Sequence, residues 1–124
     1  MKNSLEKETR ERWGDTEAFK ESKRRTGSYS PEQVQAIQEE LDTIESRFAA
    51  LLEAGAAPQD PAATEMAEEA RQHIDRWYYP CPPPMHVALA EMYVMDPRFR
   101  AHYDDRRAGL AEFVAEAIRA NAGV

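Results

Sequence analysis

Residues 76–99 read RWYYPCPPPMHVALAEMYVMDPRF, and how this stretch folds decides the shape of the 124-residue chain around it. Four of the five positions from Pro80 to Pro84 are proline. Proline has no amide donor and drives the residue before it out of the helical region, so the run ends one helix and launches the next. Trp77, Tyr78 and Tyr79 approach this stiff corner from one side, and Met85, His86, Leu89, Met92 and Tyr93 leave it on the other. Such a set either fills the core of a small helical domain or lines an apolar cavity with a few polar tips, the usual make-up of a small-molecule site.

Working outward, the helix after the corner runs from Met85 to Met95, with Glu91 its odd polar residue: either solvent-facing or holding a His or Tyr tip. Asp96-Pro97 starts a short helix carrying Phe99 and Tyr103, and Asp104 or Asp105 opens the last one, whose apolar face is Leu110, Phe113, Val114, Ala117 and Ile118. Before the corner, Asp60-Pro61 begins a helix with a stripe of Met66, Ala70, His73 or Ile74, and Trp77. His73 is either a satisfied core histidine or a hydrogen-bonding group aimed at a ligand. Further upstream, Ser30-Pro31-Glu32-Gln33 combines N-cap, first-turn proline and capping box. From it Val34, Ile37, Leu41, Ile44, Phe48 and Leu51 form one apolar seam down to Gly55. That seam packs within its own domain or, as a short heptad pattern, against a partner helix in a protein-interaction module. No β-type alternation of useful length occurs, so the expected fold is all-α, a single helical domain over residues 30–124.

Residues 1–29 are different in kind. Ser4–Trp13 is a charged, marginal helix, Gly14-Asp15 a stop and restart, and Asp15–Arg25 a second short helix anchored by Phe19. The arm shows Trp13, Phe19 and Tyr29 on a polar background, so either it docks permanently or something else orders it. Residues 1–25 carry eight basic and six acidic side chains, residues 26–79 three basic and eleven acidic. An acidic body with a formal charge of -7 disfavours direct nucleic-acid contact, which demands a basic face. One cysteine makes no intramolecular disulfide, pointing to a reducing cytosol, and neither a signal peptide nor a membrane span of about 18 apolar residues is present.

Catalytic patterns are missing: there is no Gly-rich phosphate loop, nucleophile elbow or His-Glu-x-x-His. His73, His86 and His102 are too scattered for a metal site, and no cofactor is expected. Cys81 is an inert thiol or, if His86 lowered its pKa, a nucleophile.

The blocks Glu11-Arg12-Trp13-Gly14-Asp15-Thr16, Cys81, Met85-His86, Glu91-Met92-Tyr93-Val94, Asp96, Arg98-Phe99, Gly109-Leu110-Ala111 and Ala120-Asn121-Ala122 follow one another through nearly the whole chain. In these the chain resembles the TipAS antibiotic-recognition domain, the effector domain of TipA-type activators in the MerR group of transcription regulators. The resemblance implies a globin-like all-α body whose cleft takes thiopeptides or other bulky apolar drugs, with the N-terminal helices closing over it as a lid. It makes Trp13 a lid contact and places Trp77, Tyr78, Met85, His86 and Tyr93 along the cleft. Members that trap dehydroalanine-containing antibiotics covalently have a second cysteine seven places after the position of Cys81; here that place is Ala88, so capture there is excluded. The Pro82-Pro83-Pro84 run is stiffer than the pattern requires and implies a differently shaped cleft. With residues 1–29 as lid and 30–124 as body, the candidate ligand-binding residues are Trp13, Tyr29, His73, Trp77, Tyr78, Met85, His86, Ala88, Leu89, Met92 and Tyr93. No helix-turn-helix is present, so a MerR-type DNA-binding domain would lie elsewhere in a longer protein, or the chain is a free-standing drug-sequestering form.

Overall fold

Six helices follow one another in residues 17–124, the part of the chain that a computed structural model describes: α1 Glu17–Thr26, α2 Pro31–Glu53, α3 Pro61–Trp77, α4 Pro83–Met95, α5 Pro97–Asp104 and α6 Leu110–Asn121. No strand occurs among the described residues, and no helix there is long and apolar enough to cross a membrane. The expected helix Ser4–Trp13, and Trp13 with it, lie outside the described residues.

The ends of α2 show why it stops and starts where it does. Ser30 Oγ accepts from the Gln33 amide at 3.2 Å while Gln33 Oε1 accepts from the Ser30 amide at 2.9 Å, closing the capping box. At the other end Gly55 turns left-handed (φ 81°), letting the Ala56 amide reach Leu51 O at 3.0 Å and the Gly55 amide reach Leu52 O at 3.0 Å. Asp60 holds the N-cap position of α3, but its carboxylate turns back to accept from the Ala57 amide at 2.9 Å and braces the loop instead. Pro83 and Pro84 open α4 with no amides to satisfy, so only the Met85 and His86 amides need Pro82 O, at 3.0 and 3.2 Å. Asp96 caps α5 through the Arg98 amide at 2.9 Å.

The last helix corrects the expected start at Asp104 or Asp105. Asp104 ends α5, and α6 begins at Leu110 after Gly109, which adopts φ 85°. Gly109 holds the N-cap position, and Asp104 Oδ1 reaches the helix start from across the turn, accepting from the Ala111 amide at 3.0 Å. This helix, rather than the proline corner, is the centre of the core. Leu110, Ala111, Phe113, Val114, Ala115, Ala117 and Ile118 are all buried, and α6 touches α2, α3, α4 and α5. Ala63, Ala67, Ala90, Ala111 and Ala117 are each 0% exposed. Side chains this small allow close approach of the helix backbones.

The α2 seam packs inside the chain. Ile37, Ile44 and Phe48 are buried, Leu41 and Leu51 half-buried, and Val34 at the helix start is 39% exposed. Phe48 stands edge-on to Phe113 with ring centroids 6.4 Å apart, tying the seam to the central helix.

Candidate functional site

The site is built from α3 upward. Glu68, Arg71 and Asp75 lie on one side of that helix and hold the corner by its backbone. Arg71 Nη1 donates to Cys81 O at 2.9 Å, and the Cys81 amide donates to Asp75 Oδ1 at 2.8 Å. Arg71 is itself fixed by both oxygens of Glu68, to which Asn121 of α6 and Gln72 also donate, each at 3.0 Å. The Arg71 guanidinium, helped by these amides against burial, holds the Glu68 carboxyl down at about 2. Pro80 and Pro82 to Pro84 face outward, and Cys81 alone turns in, 0% exposed. Tyr78 and Tyr79 are thereby carried to the wall of a hollow.

That hollow has two compartments. An inner cavity of about 320 Å³ lies among α2, α3, α4, α5 and α6, with Phe48, His73, His86, Tyr103 and Ile118 in its wall. An outer cavity of about 280 Å³ lies under α1, walled by Phe19, Tyr79, Met85, Leu89 and Met92. Ile74, Tyr78, Tyr93 and Phe99 line both and form the partition between them. Tyr93 packs against Tyr103 (centroids 5.2 Å apart) and Phe99 (6.0 Å), an aromatic cluster the sequence reading did not assemble.

Of the sequence-derived site residues, Tyr78, Met85, Leu89, Met92 and Tyr93 meet at the outer cavity, and His73, Tyr78, His86 and Tyr93 at the inner one. Three fall outside both linings. Ala88 is exposed. Trp77 turns toward Glu40, donating from Nε1 at 3.1 Å, and its ring meets Tyr29 edge-on at 5.9 Å. Tyr29 is bound to the end of α3, its hydroxyl donating to Trp77 O at 2.6 Å.

That end of α3 explains how α1 is seated. A helix leaves its last four carbonyls without intrahelical partners. Ile74 O takes the Tyr78 and Tyr79 amides, Asp75 O and Arg76 O accept from Arg25 Nη1 at 2.6 and 3.4 Å, and Trp77 O takes Tyr29. A cation at the negative end of the helix dipole is favourable as well as saturating.

Two carboxylates that the sequence analysis did not single out are central. Glu40 Oε1 accepts from both His73 Nδ1 at 2.6 Å and Trp77 Nε1. Glu45, 4% exposed, borders the inner cavity and meets His102 Nε2 at 3.0 Å and Arg106 Nη2 at 3.3 Å. Four residues after Leu41 and three before Phe48, Glu45 shares the seam's face; that spacing was the available signal. Glu91, by contrast, is exposed, 3.9 Å from Arg119. Among the described residues no group of three or more His, Cys, Asp or Glu is placed to hold a metal ion.

The titratable groups run against nucleophilic chemistry. Burial pushes the Cys81 thiol up to about 11, and burial followed by the charge of Arg71 pulls His86 down to about 4. An activated thiolate–imidazolium pair needs both shifts reversed. Iodoacetamide at neutral pH is therefore expected to label native Cys81 roughly two orders of magnitude more slowly than the denatured chain; equal rates would show an accessible, activated thiol.

His86 also sets a pH dependence. Its folded pKa, about 4, lies below the ordinary 6.5, so the unfolded chain binds more protons between those values. Stability is full above 6.5, declines as pH falls through the window by about 3 kcal/mol in all, and levels off below it. His102 acts oppositely: Glu45 raises its pKa, so its contribution is full at low pH and is lost as pH rises through the folded value. Urea unfolding from pH 7 to 4 should give a steeper decline for the native chain than for His86→Leu. Parallel declines would remove His86 as the cause.

What the fold and hollow define is a class: an all-α domain with two adjoining apolar pockets that share an aromatic wall, one of them walled in part by the short helix α1. The chain belongs to the TipAS antibiotic-recognition domain family, whose sequence profile matches residues 5–121. It is 46% identical over 120 residues to the HTH-type transcriptional activator TipA of Streptomyces coelicolor, and equally to that of Streptomyces lividans, covering 97% of this chain and 47% of the relative. Against the HTH-type transcriptional activator mta of Bacillus subtilis it is 33% identical over 102 residues, 82% of this chain and 39% of the other. The chain thus spans about half the length of these relatives or less. Among solved structures it is similar to TipAS of Streptomyces lividans in complex with the thiopeptide nosiheptide (45% identity, TM-score 0.89, 98% of this chain and 85% of that one). It is also similar to the antibiotic-binding domain of a TipA-class multidrug resistance transcriptional regulator (44% identity, TM-score 0.67, 72% and 95%).

Proposed function

We propose that the chain is a non-enzymatic ligand-binding domain that takes up bulky, largely apolar antibiotics of thiopeptide or multidrug type. It serves as the effector part of a MerR-type transcription regulator or as a free-standing form that sequesters drug. The observation that carries this is the divided hollow: two apolar cavities of about 320 and 280 Å³ that share an aromatic partition beneath α1. Each is near the lower bound of ordinary ligand sites, about 300 Å³, and movement of the partition joins them into a space for a larger guest.

In this reading Tyr78, Met85, Leu89, Met92 and Tyr93 contact the ligand from the body, His73 and His86 from the inner compartment, and Trp13 from the lid. Residues 1–29 form the lid and 30–124 the body, and Arg25 and Tyr29 anchor the lid to the end of α3. Ordering a lid on binding costs about 1–2 kcal/mol of backbone entropy per residue ordered, so only a ligand that buries extensive apolar surface sustains closure. Binding is non-covalent: Ala88 offers no nucleophile and the Cys81 thiol is enclosed.

The test is a titration with nosiheptide, the ligand held by the TipAS relative, followed by tryptophan fluorescence and far-ultraviolet circular dichroism. Saturable quenching with a gain in helicity and no mass adduct is the expected result. Absence of any saturable response, with nosiheptide and with a panel of unrelated bulky antibiotics, overturns the proposal.

A further inference from the structure

The geometry points to His73 as the polar anchor of the inner cavity, a hydrogen-bond acceptor that requires its ligand to present an N–H or O–H donor. The inference rests on the binding function proposed above and adds a chemical demand to it. The His73 ring is 2% exposed and stands in the wall of the inner cavity. Its Nδ1 lies 2.6 Å from Glu40 Oε1. An ionised carboxylate has only lone pairs to offer, so the proton of that bond sits on Nδ1.

Glu40 is suited to hold it there. Burial pulls the Glu40 carboxyl up, but the bonds from His73 and Trp77, the charge His73 carries when protonated and the charge of Arg76, 3.8 Å away, leave it net below its usual value and ionised. Trp77 Nε1, at 3.1 Å from the same oxygen, fixes the carboxylate against rotation. With Nδ1 protonated, a neutral ring keeps a bare lone pair on Nε2.

Nε2 is buried and has no hydrogen-bond partner among the described residues. It lies on the ring edge away from the Nδ1 that meets Glu40, on a side chain that lines the inner cavity. Buried polar atoms are nearly always paired, so a single open acceptor in the wall of a cavity, with its tautomer fixed from behind, is matched to a guest's donor. Much of the neighbouring wall is apolar, Ile44, Phe48, Ile74, Val114 and Ile118 among it, while Glu45, His86 and Tyr103 are further polar side chains of the same lining. Thiopeptides carry amide N–H groups, and other ligands with an amide or hydroxyl at the same place satisfy the same demand. Glu40 is a positioning residue, acting through His73.

The experiment combines nitrogen-15 NMR of the histidine rings with nosiheptide titrations of the native chain, His73→Phe, Glu40→Leu and Glu40→Gln. In the free native protein the His73 ring is expected as the Nδ1–H tautomer, and on addition of nosiheptide its Nε2 resonance moves in the direction of an accepted hydrogen bond. His73→Phe should bind about 10- to 100-fold more weakly. Glu40→Leu should show a mixed tautomer and intermediate binding, while Glu40→Gln, whose amide oxygen still accepts from Nδ1, restores both. A protonated Nε2 in the free protein, or an Nε2 resonance unmoved at saturation, overturns the assignment without needing any variant to fold. Equal affinity of the native chain and His73→Phe overturns it while leaving the binding function standing. No binding by the native chain removes both.

Discussion

Phe48→Ala lowers the stability of the fold by about 3–5 kcal/mol, measured as a fall in the urea midpoint at unchanged slope. Phe48 is 1% exposed, so truncation forfeits the transfer free energy of the ring. The void left behind is costly because its neighbours cannot collapse into it. Phe48 contacts Phe113 on the central helix, and the nearby crossings are set by alanines that have nothing to extend. The inner cavity already borders this ring, so the deletion enlarges an existing hollow. Phe48→Leu, which keeps most of the volume, should lose less than half as much. Equal losses would mean that the aromatic contact, not filled space, carries the site.

This residue marks how far the chain could be read without coordinates. The seam from Ile37 to Phe48 and the starts at Ser30-Pro31, Asp60-Pro61 and Asp96-Pro97 were legible because their signals are local: a cap bonds within three residues, and an apolar repeat needs no knowledge of its partner. The start of α6 was misplaced because Asp104 caps it across a turn, seven residues before the amide it serves. The prominence of α6 was missed for a related reason. Its apolar face was visible, but Ala111 and Ala115 belong to burial on further sides, and alanine does not announce which side it packs. At the site, Met85, Leu89, Met92 and Tyr93 were readable as a helical set leaving the corner. Glu40 and Glu45 were not, since their histidine partners lie 33 and 57 residues away and charge on a helix usually means solvent. Trp77 continued the α3 stripe in sequence, yet it sits at the helix end, where the Tyr29 and Glu40 contacts turn it away from the hollow.

Tyr93→Ala weakens nosiheptide binding by about 10- to 100-fold, read by calorimetry at constant temperature and salt. Two effects of the substitution oppose each other, and their sizes decide the sign. Tyr93 lines both compartments, so removing its ring joins them and spares a large ligand the work of displacing the partition. Moving one side chain off its preferred rotamer costs about 0.5–1.5 kcal/mol, which bounds that gain. Against it stands the contact surface of an aromatic wall residue, whose truncation at a binding centre typically costs about 2–4 kcal/mol or more. Loss of contact therefore wins. Tyr93→Phe separates the ring from its hydroxyl, which interacts with Tyr103. That variant should bind within a few-fold of the native chain while losing about 1 kcal/mol of stability. Tighter binding by Tyr93→Ala would make the residue a gate instead of a wall, and would place the binding free energy on the methionine side of the outer cavity, at Met85 and Met92.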